Sequence, residues 1–423
     1  MVLNFNILIL HIEYNFEQFK TMNVLFLTMV QMLDINNHGI YTDLMRKFAQ
    51  EGHNLYIAMP LQRRTQLNTH LRENDNVHIL GIKTLNVTKT NVIEQGIGQV
   101  LLEHQFKYAI NKYWGEIRFD LILYSTPPIT FTNVIKHLKK QNPEVITYLL
   151  LKDIFPQNAV DLGLLTKKGI KGILYKFFRN KETELYQTSD FIGCMSPANV
   201  EYLLKHNPSI SSQRVEIAPN SCDCIVNTDK TDKNSIRKKF NLPLNKIILI
   251  YGGNLGKPQG IPFLLECLKA NSNHDKCHFV VVGNGTEYNK LDAWVTTAHP
   301  ASVSLFSSLP KTEYDELASA CDVGLIFLDY RFTIPNYPSR LLSYLTNKKP
   351  IIAATDINCD LGYIAEQNKY GYWCPSNSVS EFNNCLEKII ASDLNVMGQN
   401  GYQFYSNTYT IQHTYNAIIK HFK

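Results

Sequence analysis

The chain has 423 residues, 44% of them hydrophobic, and a formal net charge of +5. That length accommodates two domains of roughly 200 residues each, and so mild a basic balance excludes nucleic acid as the main partner. The nine cysteines are scattered, odd in number and without a C-x-x-C pair, which fits a reducing cytosol and excludes both a disulfide framework and a zinc site.

Residues 1–21 carry a short apolar run with no positive start and with Glu13 and Glu17 downstream. They match neither a signal peptide nor a membrane span, and read as an extension ahead of the folded chain. From Met22 the pattern changes. A buried strand (Val24–Met29) passes through a polar loop ending in His38-Gly39 into an amphipathic helix (Ile40–Gln50), Gly52 closes the helix, and a second strand covers Leu55–Ala58. This is the first βαβ unit of a Rossmann-like sheet, with Gly39 either a ligand contact or a plain turn.

Three more strands follow, each ending at the same crevice: Asp120–Tyr124 before Ser125–Pro128, Val145–Leu151 before Lys152–Pro156, and Phe191–Met195 before Ser196–Asn199. Asp153 stands at one of these ends, where an acid serves chemistry or caps a turn. Between the last two strands, Leu164–Tyr186 holds Lys167, Lys168, Lys171, Lys176, Arg179 and Lys181, with Ile170, Ile173, Leu174, Phe177 and Phe178 at helical spacing. Such a basic amphipathic helix suits an anionic membrane surface, and equally a core-packed helix with a solvated basic face.

The domain change is expected after Val215, followed by a charged linker (Asn227–Phe240). A second sheet then opens with Lys246–Tyr251 and the loop Gly252–Gly260, a helix (Ile261–Leu268), and a strand (Phe279–Val282) ending in Gly283-Asn284-Gly285. Tyr314–Thr355 reads as helix, strand (Val323–Leu328), Pro-rich loop, helix opening near Pro338-Ser339, and strand (Pro350–Ala354). A helix whose first turn is Pro338-Ser339-Arg340-Leu341 at a strand end offers free N–H groups beside a cation, an anion site. No G-x-G-x-x-G follows the first strand and no G-x-x-x-x-G-K-[ST] occurs, which excludes a dinucleotide dehydrogenase and a P-loop ATPase. The fold expected is α/β, two Rossmann-like domains facing across a cleft: an extension (1–21), a first domain (22–215), a second domain (216–404), and a C-terminal helix (405–423) crossing back to the first domain.

The stretches that carry a family resemblance are MNVLFL with the Gly39 loop, KDIFPQNAVDLGLL, SPAN, APNSCD, YGGNLGKPQG, VVGNGTEY, and PSRLLSYL with KPIIAATD, spread over about residues 22–375. Together they resemble GT-B glycosyltransferases of the large retaining family that uses nucleotide sugars. Within it they are similar to bacterial capsular and O-antigen transferases of the N-acetylfucosaminyl transferase type. The resemblance implies hexosyl or N-acetylhexosaminyl transfer from a UDP-linked donor to a lipid-linked saccharide at the inner face of the membrane, with retention and without cofactor or metal. It places catalysis on Asp153 and Arg340, and donor binding on Gly39, Gly253, Asn254, Lys257, Gly283, Asn284, Gly285, Pro338, Ser339, Leu341 and Ser343. Membrane docking falls to Lys167, Lys168, Lys171, Lys176, Phe177, Phe178 and Arg179. The chain departs from that family where two glutamates eight positions apart become Pro335 and Ser343, and where an Arg and a Lys that grip the diphosphate become Asn254 and Gln259. Those departures leave two other readings, a non-catalytic degenerate transferase in an assembly complex and a nucleotide-sugar 2-epimerase.

Overall fold

A computed structural model describes residues 20–87, 92–223 and 232–422. Most of the expected N-terminal extension, residues 1–19, and residues 227–231 of the expected linker lie outside the described residues. In the first domain the elements run β1 (Asn23–Leu27), α1 (Ile40–Gln50), β2 (Asn54–Gln62), β3 (His70–Asn74), β4 (Val77–Thr84), α2 (Val92–Trp114), β5 (Leu121–Ser125), α3 (Thr132–Gln141), β6 (Ile146–Leu151), α4 (Gln157–Asp161), α5 (Gly169–Thr188), β7 (Phe191–Cys194), α6 (Pro197–His206) and β8 (Val215–Ile217). The second domain continues with α7 (Lys233–Lys239), β9 (Ile247–Gly252), α8 (Ile261–Ala270), β10 (Cys277–Val282), α9 (Tyr288–Ala298), β11 (Val303–Phe306), α10 (Lys311–Ala320), β12 (Val323–Phe327), α11 (Arg340–Thr346), β13 (Ile351–Thr355), α12 (Leu361–Gln367), β14 (Gly371–Pro375), α13 (Val379–Ala391) and α14 (Leu394–Thr408), before α15 (Ile411–Ile419) returns to the first.

The eight-stranded sheet has the order β3-β4-β2-β1-β5-β6-β7-β8, and the six-stranded one β11-β10-β9-β12-β13-β14. All pairings are parallel except β3 with β4. Central strands such as β1, NVLFL, and β12, VGLIF, are apolar on both faces because helices cover both. Strand order reverses at β1/β5 in one sheet and at β9/β12 in the other, and a crevice opens at the carboxyl ends of such strands. The loops after these four strands and after β6 therefore meet between the domains. Helix α1 buries Leu44, Met45 and Phe48, and Gly52, at φ 83, supplies the left-handed residue that ends it.

Domain boundaries fall later than the sequence places them. β8, Val215–Ile217, pairs with β7 and belongs to the first sheet, so the crossing follows Ile217 rather than Val215. The second half of the expected linker is helix α7, whose Arg237 pairs with Asp322 at 2.6 Å. The helix expected to cross back from Tyr405 begins at Ile411, since Tyr405 still packs in the core of the second domain. Beyond that point Ile411, Tyr415, Ile418 and Ile419 join the core of the first domain beside Leu44 and Phe48, and the Tyr415 hydroxyl lies 2.9 Å from His53 Nε2. The two crossings hold each other: Cys222 N–H donates to Tyr409 O, and the Tyr405 hydroxyl to Cys222 O.

Candidate functional site

Between the domains lies a cavity of about 440 Å³, walled by Tyr41, Thr126, Lys152, Asp153 and Asn158 on one side and by Gln259, Phe332, Asn336, Tyr337, Pro338 and Ser339 on the other. Thr126, at the end of β5, fixes the loop after β6. Its hydroxyl accepts the N–H groups of Lys152 (3.0 Å) and Asp153 (3.2 Å) and donates to the Asp153 carbonyl (3.1 Å). Burial raises the Asp153 carboxyl to about 6 and lowers the Lys152 ammonium to about 7. Both residues are half-buried and line the cavity. Lys152 Nζ donates to the Ala218 carbonyl at 3.1 Å, so the segment just after β8 backs it. Burial also pushes the Tyr41 hydroxyl up to about 12.

On the second domain the two glycine loops are zipped together. Gly253 N–H donates to Val282 O and Leu255 N–H to Asn284 O, both at 2.9 Å. Gly283 holds φ 155, and a Cβ there would stand 1.8 Å from Gly253 O, so only glycine permits this approach. Asn254 Nδ2 donates to Gln259 Oε1 at 3.2 Å, so the amides that stand where the resembling family has cations pair with each other. Lys257 is exposed and stays off the cavity wall, which takes Gln259 instead.

Arg340 lies beside these loops. Its guanidinium carbon is 4.3 Å from the centre of the Tyr251 ring, and a Cβ on Gly253 would meet its Nη2 at 3.5 Å. Burial opposes its charge, but the hydroxyls of Tyr251, Tyr344 and Tyr314 more than offset this and hold its pKa above the usual value. Nη1 is enclosed without a hydrogen-bond partner. The two acids nearest in sequence are otherwise engaged. Asp329 pairs with Arg331 at 2.7 Å, and Asp356 Oδ1 accepts the N–H groups of Asn358 and Cys359. Among the described residues no carboxylate pairs with this guanidinium, a setting that suits an anion.

Within the expected donor set, the N–H groups of Leu341 and Gly39 are already bonded inside the fold. Helix α11 has seven residues, and its Leu341 N–H is already bonded to Pro338 O, while the Leu341 side chain is buried in the core. Leu341 thus serves the fold, and Pro338 has no N–H to give. Gly39 N–H is taken by Asp43 Oδ1 at 3.1 Å; together with Ser339 and Ser343, Gly39 lines a separate interdomain hollow of about 210 Å³. Pro338, Ser339 and Asp153 do meet in the main cavity. Sequence reasoning passed over Tyr41, Asn158 and the tyrosines around Arg340. Tyr251, Tyr314 and Tyr344 carry no spacing that marks them apart from core aromatics.

The basic helix also divides. Ile170 is 87% exposed, Ile173 70% and Phe177 47%, with Lys167, Lys168, Lys171 and Lys176 exposed around them, so this face is not core-packed. Phe178 packs on Phe155, and Arg179 is bonded to Glu182 and Asn207, so these two turn inward and leave the docking set. Among the described residues no helix is long and apolar enough to cross a membrane, and no group of three or more His, Cys, Asp or Glu is placed to hold a metal ion.

Residues 232–404 match the family described as "Glycosyl transferases group 1". This domain is a group 1 glycosyltransferase domain. The protein is a glycosyltransferase of GT-B build, and a curated relative agrees: it is 24% identical over 313 residues, 73% of this chain and 75% of the relative, to "Probable glycosyltransferase WbjE" of Pseudomonas aeruginosa. Solved structures share the fold across both domains. Sucrose-phosphate synthase of Thermosynechococcus elongatus superposes with a TM-score of 0.73 at 14% identity, covering 95% of this chain and 98% of that one. Anabaena Alr3699/HepE in complex with UDP does so with a TM-score of 0.67 at 13% identity, covering 95% and 99%. In this glycosyltransferase the matched domain carries both glycine loops and Arg340, while Lys152 and Asp153 come from the domain facing it.

Proposed function

We propose that this glycosyltransferase moves a hexosyl or N-acetylhexosaminyl group from a UDP-linked donor to a lipid-linked saccharide in bacterial surface polysaccharide synthesis, with retention and without metal or cofactor. The observation that carries the reading is Arg340, stacked on Tyr251 beside the glycine loops with its Nη1 enclosed and without a hydrogen-bond partner among the described residues. In the reaction the bond from the anomeric carbon to the diphosphate breaks, a bond to the acceptor oxygen forms, and the acceptor's hydroxyl proton passes to the departing diphosphate. Negative charge grows on the leaving diphosphate, where a fixed guanidinium stabilises it without reorganisation. Asp153, ionised, orients the attacking hydroxyl and opposes the positive charge on the anomeric carbon. That a neighbour of the same fold was solved with UDP supports the choice of nucleotide. UDP should raise the melting temperature, and GDP, ADP and CMP should not, because a ligand that binds only the folded state stabilises it. Release of labelled sugar from a UDP-sugar in membranes then separates a transferase from a non-catalytic relative, and no shift with any of the four nucleotides sinks the donor assignment.

The acceptor half of the proposal places the protein on the cytoplasmic face of the membrane, docked through α5. Ile170, Ile173, Leu174 and Phe177 would enter the interface while Lys167, Lys168, Lys171 and Lys176 meet anionic headgroups. Each lysine contributes about 1 kcal/mol near such a surface, so converting Lys167, Lys168 and Lys171 to Glu removes at least about 3 kcal/mol, ~100-fold in partitioning. The triple variant should stay in the supernatant when sedimented with anionic liposomes, and salt should release the parent protein. Equal sedimentation of the two proteins would rule the docking face out.

A further inference from the structure

A second polar hollow, of about 210 Å³, lies on the other side of α5 and is not used by the reaction described above. Its floor is Glu182, 3% exposed, whose Oε1 accepts from the Tyr186 hydroxyl and Oε2 from Arg179 Nη1, both at 2.7 Å. Arg179 is in turn fixed by Asn207 Oδ1 and by the His206 carbonyl. The rings of Tyr175 and Tyr202 form the sides, Tyr202 stacking on His206 with centroids 4.0 Å apart. Burying such an ionic cluster costs stability, and packing alone gives no reason to keep it. Planar carboxylate, amide and guanidinium groups set between aromatic faces match a pyranose, whose hydroxyls bond in plane and whose C–H face stacks on rings.

Position adds a second, independent observation. The hollow and the exposed apolar residues Ile170, Ile173 and Phe177 occupy different faces of one helix, about 10 Å across. On its inner side the hollow shares Ile154 with an apolar partition, formed with Leu162, Phe332 and Ile334, that separates it from the Asp153 cavity. The second domain completes the rim: Thr333 is held by Asp161, which accepts its N–H at 2.8 Å, and by Gln157. The hollow therefore stands between the lipid-facing surface and the reacting centre.

We propose that this hollow is a saccharide subsite that holds a sugar of the acceptor other than the one whose hydroxyl reacts. The inference rests on the transferase reading above and deepens it. The acceptor then carries at least two sugars, and an earlier glycosyl transfer onto the same lipid must supply it. The test is saturation-transfer NMR on the full chain with the methyl glycosides of glucose, galactose and N-acetylglucosamine, alongside UDP titration. At least one glycoside should show transfer, and Tyr202→Ala and Tyr175→Ala should each weaken its binding 10-fold or more with UDP affinity unchanged. Tyr202→Phe, which keeps the ring, should hold most of the binding and guards against a folding defect in the alanine variant. Transfer from none of the glycosides, or equal transfer in both alanine variants, overturns the subsite. UDP binding with sugar release but no glycoside binding removes the subsite and leaves the transferase. Tyrosine-dependent glycoside binding without any UDP binding keeps the subsite as a sugar site and removes the transferase reading.

Discussion

Arg340→Ala is expected to lower turnover about 100-fold or more, roughly 3 kcal/mol of transition-state stabilisation. The diphosphate needs positive charge as its bond to the sugar breaks, and at Asn254 and Gln259 this chain offers two amides bonded to each other. Lys257 is exposed, where water screens its charge, so Lys257→Ala should be milder. Arg340 remains, its Nη1 unsatisfied and its ring neighbours Tyr251, Tyr314 and Tyr344 holding the charge in place. Arg340→Lys should fall between, since an ammonium cannot form the guanidinium's two-pronged contact. Stability should change little. The variant loses packing on Tyr251 but also sheds an unpaired buried charge, and the two effects oppose. UDP affinity and melting temperature measured on one sample decide the matter: normal affinity with a lowered melting temperature would mean that Arg340 only steadies the loop.

Most of the fold was legible in the sequence because parallel strands covered on both faces leave unbroken apolar runs, as in VLFL, LILY and IILIY. β3, HLREN, was not, since an edge strand of polar residues looks like a loop until β4 pairs with it. β8, three residues long, has no periodicity to detect and moved the domain boundary with it. In the candidate site, the two glycine loops were legible because their close approach demands glycine. Arg340 stood out as a cation at a strand end, whereas its freedom from Asp329 and Asp356 depends on what those acids bond instead, a tertiary fact. The basic amphipathic helix left two readings open, and only exposure distinguishes the face carrying Ile170 and Phe177 from the inward Phe178 and Arg179.

Asp153→Asn should cost at least about 100-fold in kcat and remove the acid limb of the pH profile. With its carboxyl raised to about 6 by burial, the parent enzyme should gain kcat/KM as pH rises through 6. Lys152, lowered to about 7, is its neighbour in the cavity wall, so the limbs report the pair rather than either residue alone. The same shift has a consequence for stability whose sign is opposite to that of a salt-bridged acid. An acid whose folded pKa lies above its unfolded value disfavours the native state once ionised, so its penalty is absent below about pH 4 and complete above about pH 6. A rise from 3.8 to about 6 sets the penalty at no more than about 3 kcal/mol, and water in the cavity reduces it. Asp153→Asn should therefore melt higher than the parent at pH 7.5 and alongside it at pH 4, while losing activity, as expected of a carboxylate kept for chemistry at the expense of stability. A parent profile flat between about pH 4 and 8, about two units either side of the expected midpoint, or a variant that keeps most of its turnover, would remove Asp153 from the mechanism.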